Sequence, residues 1–96
     1  MSSVIYTVTD NVAQKRFEMP TEAGTAFIRY RRADGVVTMT HAEVPRALEG
    51  RGVGSALVQG ALELVRSQSE KVIPRCPFVA IYIKRHKEFH SLLVEP

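Results

Sequence analysis

The sequence predicts an α+β domain. Its core is a mostly antiparallel mixed sheet in the order β-β-β-β-α-β-α, closed by a short C-terminal helical turn. Three observations lead there. Turn signals divide the first half into β-rich runs. From Val53 onward the apolar spacing changes from alternation to the helical period. A short β-branched run after that helix, Lys71 to Ile73, precedes a second helical segment.

The elements follow in order. Val4 to Thr9 (VIYTVT) has strand composition, and Asp10-Asn11 is a turn signal. A short strand over Lys15 to Met19 completes a hairpin, and Pro20 to Gly24 breaks the pattern. In Thr25 to Arg32, Ala26, Ile28 and Tyr30 alternate with Phe27, Arg29 and Arg31. Asp34-Gly35 is the strongest two-residue hairpin signal, and it leads into a strand over Val36 to Val44. Val53, Ala56, Leu57, Gly60, Ala61, Leu64 and Val65 then form the apolar stripe of a helix, with Gly60 suggesting close helix–sheet approach. Phe78 to His86 reads as the second helix, and Lys87 to Leu93 as the last helical turn.

Composition narrows the function classes. The 96 residues are expected to form one domain, and their 45% apolar content excludes a disordered chain. No apolar run approaches the ~20 residues of a membrane span. MSSVIYTVTD lacks a basic start followed by an apolar core, so no secretory signal is expected. One cysteine makes no internal disulfide, and a reducing cytoplasm is the expected compartment. No His/Cys cluster has metal-ligand spacing, so no metal is predicted. The net charge of +3 is mild and suits an anionic ligand. The aromatics interleave poorly with the arginines, which counts against nucleic acid.

The most specific stretch is EGRGVGSAL, Glu49 to Leu57, with three glycines in five positions ahead of the helix. The first amides of a helix have no intrahelical acceptor and carry partial positive charge, so a phosphate suits that end. Arg51 can add a charged hydrogen bond. The bland alternative is a turn that only reverses the chain. A P-loop is excluded because Ser55-Ala56, not Lys-Ser/Thr, follows Gly54. A dinucleotide fingerprint is excluded because Ser55 stands where its last glycine belongs and no parallel βαβ unit precedes it.

EVPRALEGRGVGSAL, Glu43 to Leu57, resembles the cofactor-binding motif of the GNAT N-acetyltransferases, R/Q-x-x-G-x-G/A. Gly52-Val53-Gly54 supply its glycines, while Glu49 stands where Arg or Gln is usual and cannot donate to phosphate. The downstream segment, Pro74-x-Cys76 with Phe78-Val79 leading to Tyr82 and His86, is similar to the small YjdJ-type branch of that superfamily. The resemblance covers roughly residues 25 to 93. It implies a minimal GNAT fold and acetyl-CoA as cosubstrate, with Val44, Pro45 and Gly50 to Ser55 (Gly50, Arg51, Gly52, Val53, Gly54, Ser55) holding it. It implies an N-acetyltransferase acting on a protein lysine, an N-terminus or a small amine. The alternative is a CoA or acyl-CoA binding module with little turnover, because the connection at Asp10 to Gln14 is too short for the helices that wall the acceptor site in larger members. The expected state is a monomer or weak dimer.

Acetyl transfer needs a neutral amine, a polarised carbonyl and a thiolate that can be protonated. Alternation puts His41 and Glu43 on one face of the strand that ends in the loop, where either can take a proton from the amine. Their structural alternatives are a satisfied half-buried histidine and a rim charge. Cys76 follows a short strand near a helix start beside Arg75, which favours thiolate and an acetylated intermediate. Its alternative is a small buried apolar side chain. The resemblance makes Tyr82 a candidate proton donor to the CoA thiolate, against a core aromatic. Pro45 removes an N–H and ends strand pairing, which leaves room for the pantetheine arm.

Overall fold

The computed structural model describes residues 6–94, and the β-rich runs become one five-stranded sheet in the order β1-β2-β3-β4-β5. The strands are β1 (Thr9–Asn11), β2 (Arg16–Thr21), β3 (Gly24–Ala33), β4 (Val36–Glu43) and β5 (Lys71–Pro74). The first four pair antiparallel, and β5 joins β4 in parallel. Helix α1 (Val53–Ser67) makes the crossover between them, and α2 (Pro77–Arg85) follows β5. Short 3-10 turns occupy Arg46–Leu48 and Lys87–Leu92.

Most turns follow local chemistry. Asp34 and Gly35 both take positive φ, +54° and +76°, between the paired ends Ala33 and Val36. That is the backbone a type I′ hairpin requires. The start of the chain needs correction. Residues 4 and 5 of the expected first strand lie outside the described residues, and Asp10 and Asn11 are the last residues of β1. Asn11 both ends that strand and begins the turn. Its carbonyl and its side-chain oxygen both accept the Gln14 N–H, at 3.2 and 3.1 Å, and Lys15 closes the turn at φ +57°.

Pro20 also lies inside a strand, not in a break. Pairing of β1 with β2 ends at Thr9 and Glu18, so beyond Glu18 one side of β2 is an edge. A proline's missing N–H is tolerated there. At the other end of the chain the second helix stops at Arg85. His86 leaves helical geometry at φ −128°, and its N–H is bonded to the Ile83 carbonyl.

Both helices pack on one face of the sheet. Phe17, Met19, Ala26, Ile28, Val37 and Met39 point to that face and are fully buried. Leu57, Val58, Ala61, Leu62 and Val65 meet them from α1, and Val79 and Ile83 from α2. The buried stripe of α1 is therefore rotated from the expected one. Val58 and Leu62 enter the core, while Ala56, Gly60 and Leu64 are only partly covered. Gly60 faces Val8, just before β1, so closely that an added Cβ would lie 2.4 Å from a valine methyl. The close approach read from Gly60 thus exists, but to the segment entering the sheet.

One polar network ties the edge elements together. The Arg32 guanidinium donates to Asp10 on β1 at 2.9 Å and to Glu70, just ahead of β5, at 2.8 Å. The Tyr30 hydroxyl also donates to Asp10. Burial, and then that hydrogen bond to a carboxylate, push the Tyr30 phenol up to about 12. A folded-state value above the unfolded one means the folded state holds the proton more tightly. Stability from Tyr30 is therefore fully present below pH ~10 and lost as pH rises toward ~12. We expect a loss of about 1–3 kcal/mol over that window in denaturant titrations at stepped pH, flattened in Tyr30→Phe.

Candidate active site

The site forms where β4 outruns its parallel partner. Pairing with β5 ends at Met39 and Pro74, whereas β4 continues to Glu43. The Met39 carbonyl accepts the N–H groups of both Arg75 and Cys76, at 2.9 and 3.0 Å, and this turns the chain out of the sheet. Pro77 at the first position of α2 is preorganised for a helix start. The two chains diverge from there and leave a cleft along the free side of β4.

A bulge sets which side chains of β4 face the cleft. Arg29 pairs with His41 and Tyr30 with Met39, so Thr40 is the extra residue. Alternation from Val37 and Met39 would have put His41 and Glu43 on the core face. The bulge turns both to the opposite, helix-free face, where their side chains are 53% and 60% exposed. His41 Nε2 lies 3.0 Å from a Glu43 carboxylate oxygen. Ala42 and Val44 turn inward instead and pack against the core.

The glycine loop closes the end of this cleft. Gly50 and Gly52 adopt φ +81° and +79°, the left-handed region that favours glycine. Gly52 caps α1 without a side chain, and its carbonyl accepts the Ala56 N–H at 3.1 Å. The amides of Val53, Gly54 and Ser55 therefore start the helix with no acidic side chain in the first turn. The Gly50 and Gly52 amides donate to no protein acceptor among the described residues.

Two adjoining recesses result. The first, of about 500 Å3, lies between the loop, the end of β4 and α2, and is lined by Val44, Gly50, Gly52, Gly54, Ser55 and Phe78 among others. The second, of about 480 Å3, wraps onto the helix-free side past Phe27, Glu43, Pro45 and Arg46. Ala42, Val44 and Glu49 line both, so the two are continuous around the end of β4. Arg51 is exposed, and the Val53 side chain enters the core, so Val53 offers the groove only its backbone.

The remaining sequence candidates lie beneath this surface. Cys76 caps α2 and is 6% exposed, and its side chain makes no capping hydrogen bond. Tyr82 is buried, with its ring stacked on His86 at 3.8 Å and 11°. The His86 Nδ1–H donates to the Tyr82 carbonyl at 2.7 Å. Burial, and then the carboxylates of Glu88 and Glu63, raise the Tyr82 phenol pKa, which keeps it protonated. Neither Cys76 nor Tyr82 lines either recess, and nor does His41. Sequence reasoning missed Phe78, whose ring covers Gly54 so closely that a Cβ there would lie 2.8 Å from it. The available signal was an aromatic next to a helix start beside the glycine loop. Among the described residues no three His, Cys, Asp or Glu side chains group as metal ligands, and no helix is long and apolar enough to cross a membrane.

These elements define an α+β domain whose two parallel strands splay where a glycine loop caps the crossover helix. Comparison with protein families identifies the family: residues 16–92 match the model of the GCN5-related N-acetyl-transferases, and the chain belongs to that family. The chain is similar over its whole length to the solution NMR structure of a GCN5-like protein from Staphylococcus aureus. The TM-score is 0.69 at 22% identity over 93% of that chain, a likeness of fold. Comparison with curated proteins returns no match.

Proposed function

We propose that the protein transfers the acetyl group of acetyl-CoA to an exposed amine, with the pyrophosphate held by Gly50 to Ser55. The observation that carries this reading is the pair of left-handed glycines, Gly50 and Gly52, which line the first recess with Gly54 and Ser55 and whose amides have no protein acceptor among the described residues, whereas the Arg51 amide is taken by the Leu48 carbonyl. Three further features fit the ligand. Gly54 lines the recess without a side chain of its own, Arg51 is exposed between the two left-handed glycines, and Pro45 follows the end of β4. Glu49, where the family pattern has a donor, leaves the backbone amides as the principal phosphate contacts.

When bound, acetyl-CoA supplies the thioester. Val44 and the unpaired side of β4 orient the pantetheine arm, and the amine approaches through the second recess. Glu43 lines that recess, and with His41 at 3.0 Å it can take the ammonium proton directly or through water. Tyr82, the sequence candidate for donor to the departing thiolate, lies beneath the cleft and lines neither recess, so solvent water is the nearer proton source. Direct transfer is favoured over an acetylated Cys76, because that thiol lies below the cleft surface. The acceptor is a protein lysine, an N-terminus or a small amine. The half-exposed His41–Glu43 pair and the open second recess support the competing reading, a CoA-binding module with little turnover. The lone buried Cys76 suits a reducing cytoplasm, and the Pro74-to-His86 segment suits the small YjdJ-type branch of the family, with a monomer or weak dimer as the proposed state.

Amide chemical shifts under titration with acetyl-CoA, CoA, ATP and NAD test the reading. Saturable shifts at Gly50 to Ser55 with the CoA compounds alone are expected. The absence of shifts with any CoA compound would remove it. Intact mass after incubation with acetyl-CoA, with Cys76→Ala alongside, separates direct transfer from an acetyl-cysteine. An amine acceptor assayed in parallel separates an enzyme from a binder.

A further inference from the structure

Both helices pack on one face of the sheet, and among the described residues nothing covers the other. The bulge at Thr40 brings His41 and Glu43 onto that open face, so it is continuous with the second recess. The register aligns its side chains in rows. Arg16 lies opposite Arg29, and Arg29 opposite His41. Directly opposed side chains sit ~5 Å apart, and like charges so placed destabilise a sheet.

Internal partners relieve only part of this charge. Arg16 is paired with Glu18, and the Arg16 and Arg29 guanidiniums lie 4.7 and 5.2 Å from the centroid of the Phe27 ring. Arg29 and Arg31, two residues apart on the same face of β3, have no carboxylate within ion-pair distance among the described residues. The face therefore offers two unneutralised guanidiniums beside a site reached from the same side. Guanidiniums on such a surface recognise carboxylates by bidentate hydrogen bonds.

We infer that this open face docks an acidic peptide segment, and that the segment belongs to the acceptor and lies beside the amine to be acetylated. The link to the acceptor rests on the acetyltransferase reading, whereas the docking does not. A carboxylate-bearing segment fits better than single-stranded nucleic acid. The face has one aromatic, Phe27, and two guanidiniums already lie against it, so successive bases find no stacking platform.

The first test uses peptides without a free amine: a hexaglutamate, its hexaglutamine analogue, and a single-stranded oligonucleotide of the same charge. The hexaglutamate is expected to shift the amides of Phe27, Arg29 and Arg31 and to bind at least tenfold more tightly than the glutamine analogue. Arg29→Glu/Arg31→Glu, both exposed and so expected to fold, should lose that preference. Equal binding of the two peptides, shifts confined elsewhere, or tighter binding of the oligonucleotide at this face would overturn the proposal. The second test compares kcat/KM for one lysine flanked by glutamates with the same lysine flanked by glutamines. A tenfold preference for the acidic peptide is expected. In the double variant the ratio of the acidic-peptide rate to the neutral-peptide rate should fall to about one. Equal rates in the wild-type protein would overturn the link to the acceptor. If no peptide is acetylated but the hexaglutamate binds as expected, the docking surface stands and the acetyltransferase reading falls.

Discussion

Gly54→Val is expected to weaken acetyl-CoA binding by at least 100-fold, measured by calorimetric titration or amide shifts. A β-carbon at Gly54 would lie 2.8 Å from the Phe78 ring and 3.6 Å from the Val44 side chain, and all three residues line the first recess. Valine adds two methyl groups more. They must displace Phe78 or occupy the groove, and either change closes the approach to the first amides of α1. The overpacking itself costs about 1–3 kcal/mol of stability, so lost affinity has to be separated from lost fold. Gly35→Ala is the control. It strains a left-handed position at φ +76° in the distant hairpin, with nothing within 4 Å of the added carbon. It should lower stability by about 1 kcal/mol and leave acetyl-CoA affinity unchanged. Equal affinity for Gly54→Val and the wild-type protein would show that the ligand binds elsewhere.

Phe17→Ala should produce the largest loss of stability, about 3–5 kcal/mol in urea unfolding. Phe17 is fully buried, and its ring lies 4.9 Å from the Tyr30 ring at a 44° tilt. Aromatic pairs of this kind add about 0.5–1.5 kcal/mol to the burial itself. A domain of this size has total stability on the order of 5–10 kcal/mol, so this variant should be partly unfolded at physiological temperature. Its transition should move to lower urea with an unchanged slope. A loss below ~1 kcal/mol would mean that α1 and β2 collapse into the vacated space.

Local signals placed most elements. Asp34-Gly35 marked its hairpin because that pair tolerates two positive φ angles at little cost. The switch from alternation to helical spacing at Val53 located α1, and Lys71 to Ile73 located β5. The errors share a cause. Asn11 begins the turn and also ends a strand, and only pairing with Arg16 and Glu18 on β2 added the second role. Pro20 can break a strand or ride on an edge, and the short reach of β1 made that part of β2 an edge. The α1 stripe was rotated because a helical wheel shows which residues are apolar, not the direction from which a sheet approaches.

The candidate site divides in the same way. The loop proposed to hold phosphate, Gly50 to Ser55, could be located from the sequence because glycine spacing and a helix start are local. The acceptor side of the site could not. The bulge at Thr40 arises from register between β3 and β4, and no residue type near it announces an extra position. Phe78 joins the groove only because the splay of β4 from β5 brings the start of α2 against Gly54.

The sequence by itself determined the order of elements, the glycine loop at the head of the crossover helix and the family. The first two follow from propensity, periodicity and glycine spacing, which act over a few residues, and the family follows from the resemblance of the glycine-loop and Pro74-to-His86 segments to known members. The tertiary structure alone decided that His41 and Glu43 face away from the helices, that Cys76 and Tyr82 lie beneath the cleft, and that one face of the sheet stays open with Arg29 and Arg31 unpaired by carboxylates among the described residues. Each of these depends on strand register and on which elements meet across the chain, and a one-residue shift in register reverses every side chain beyond it.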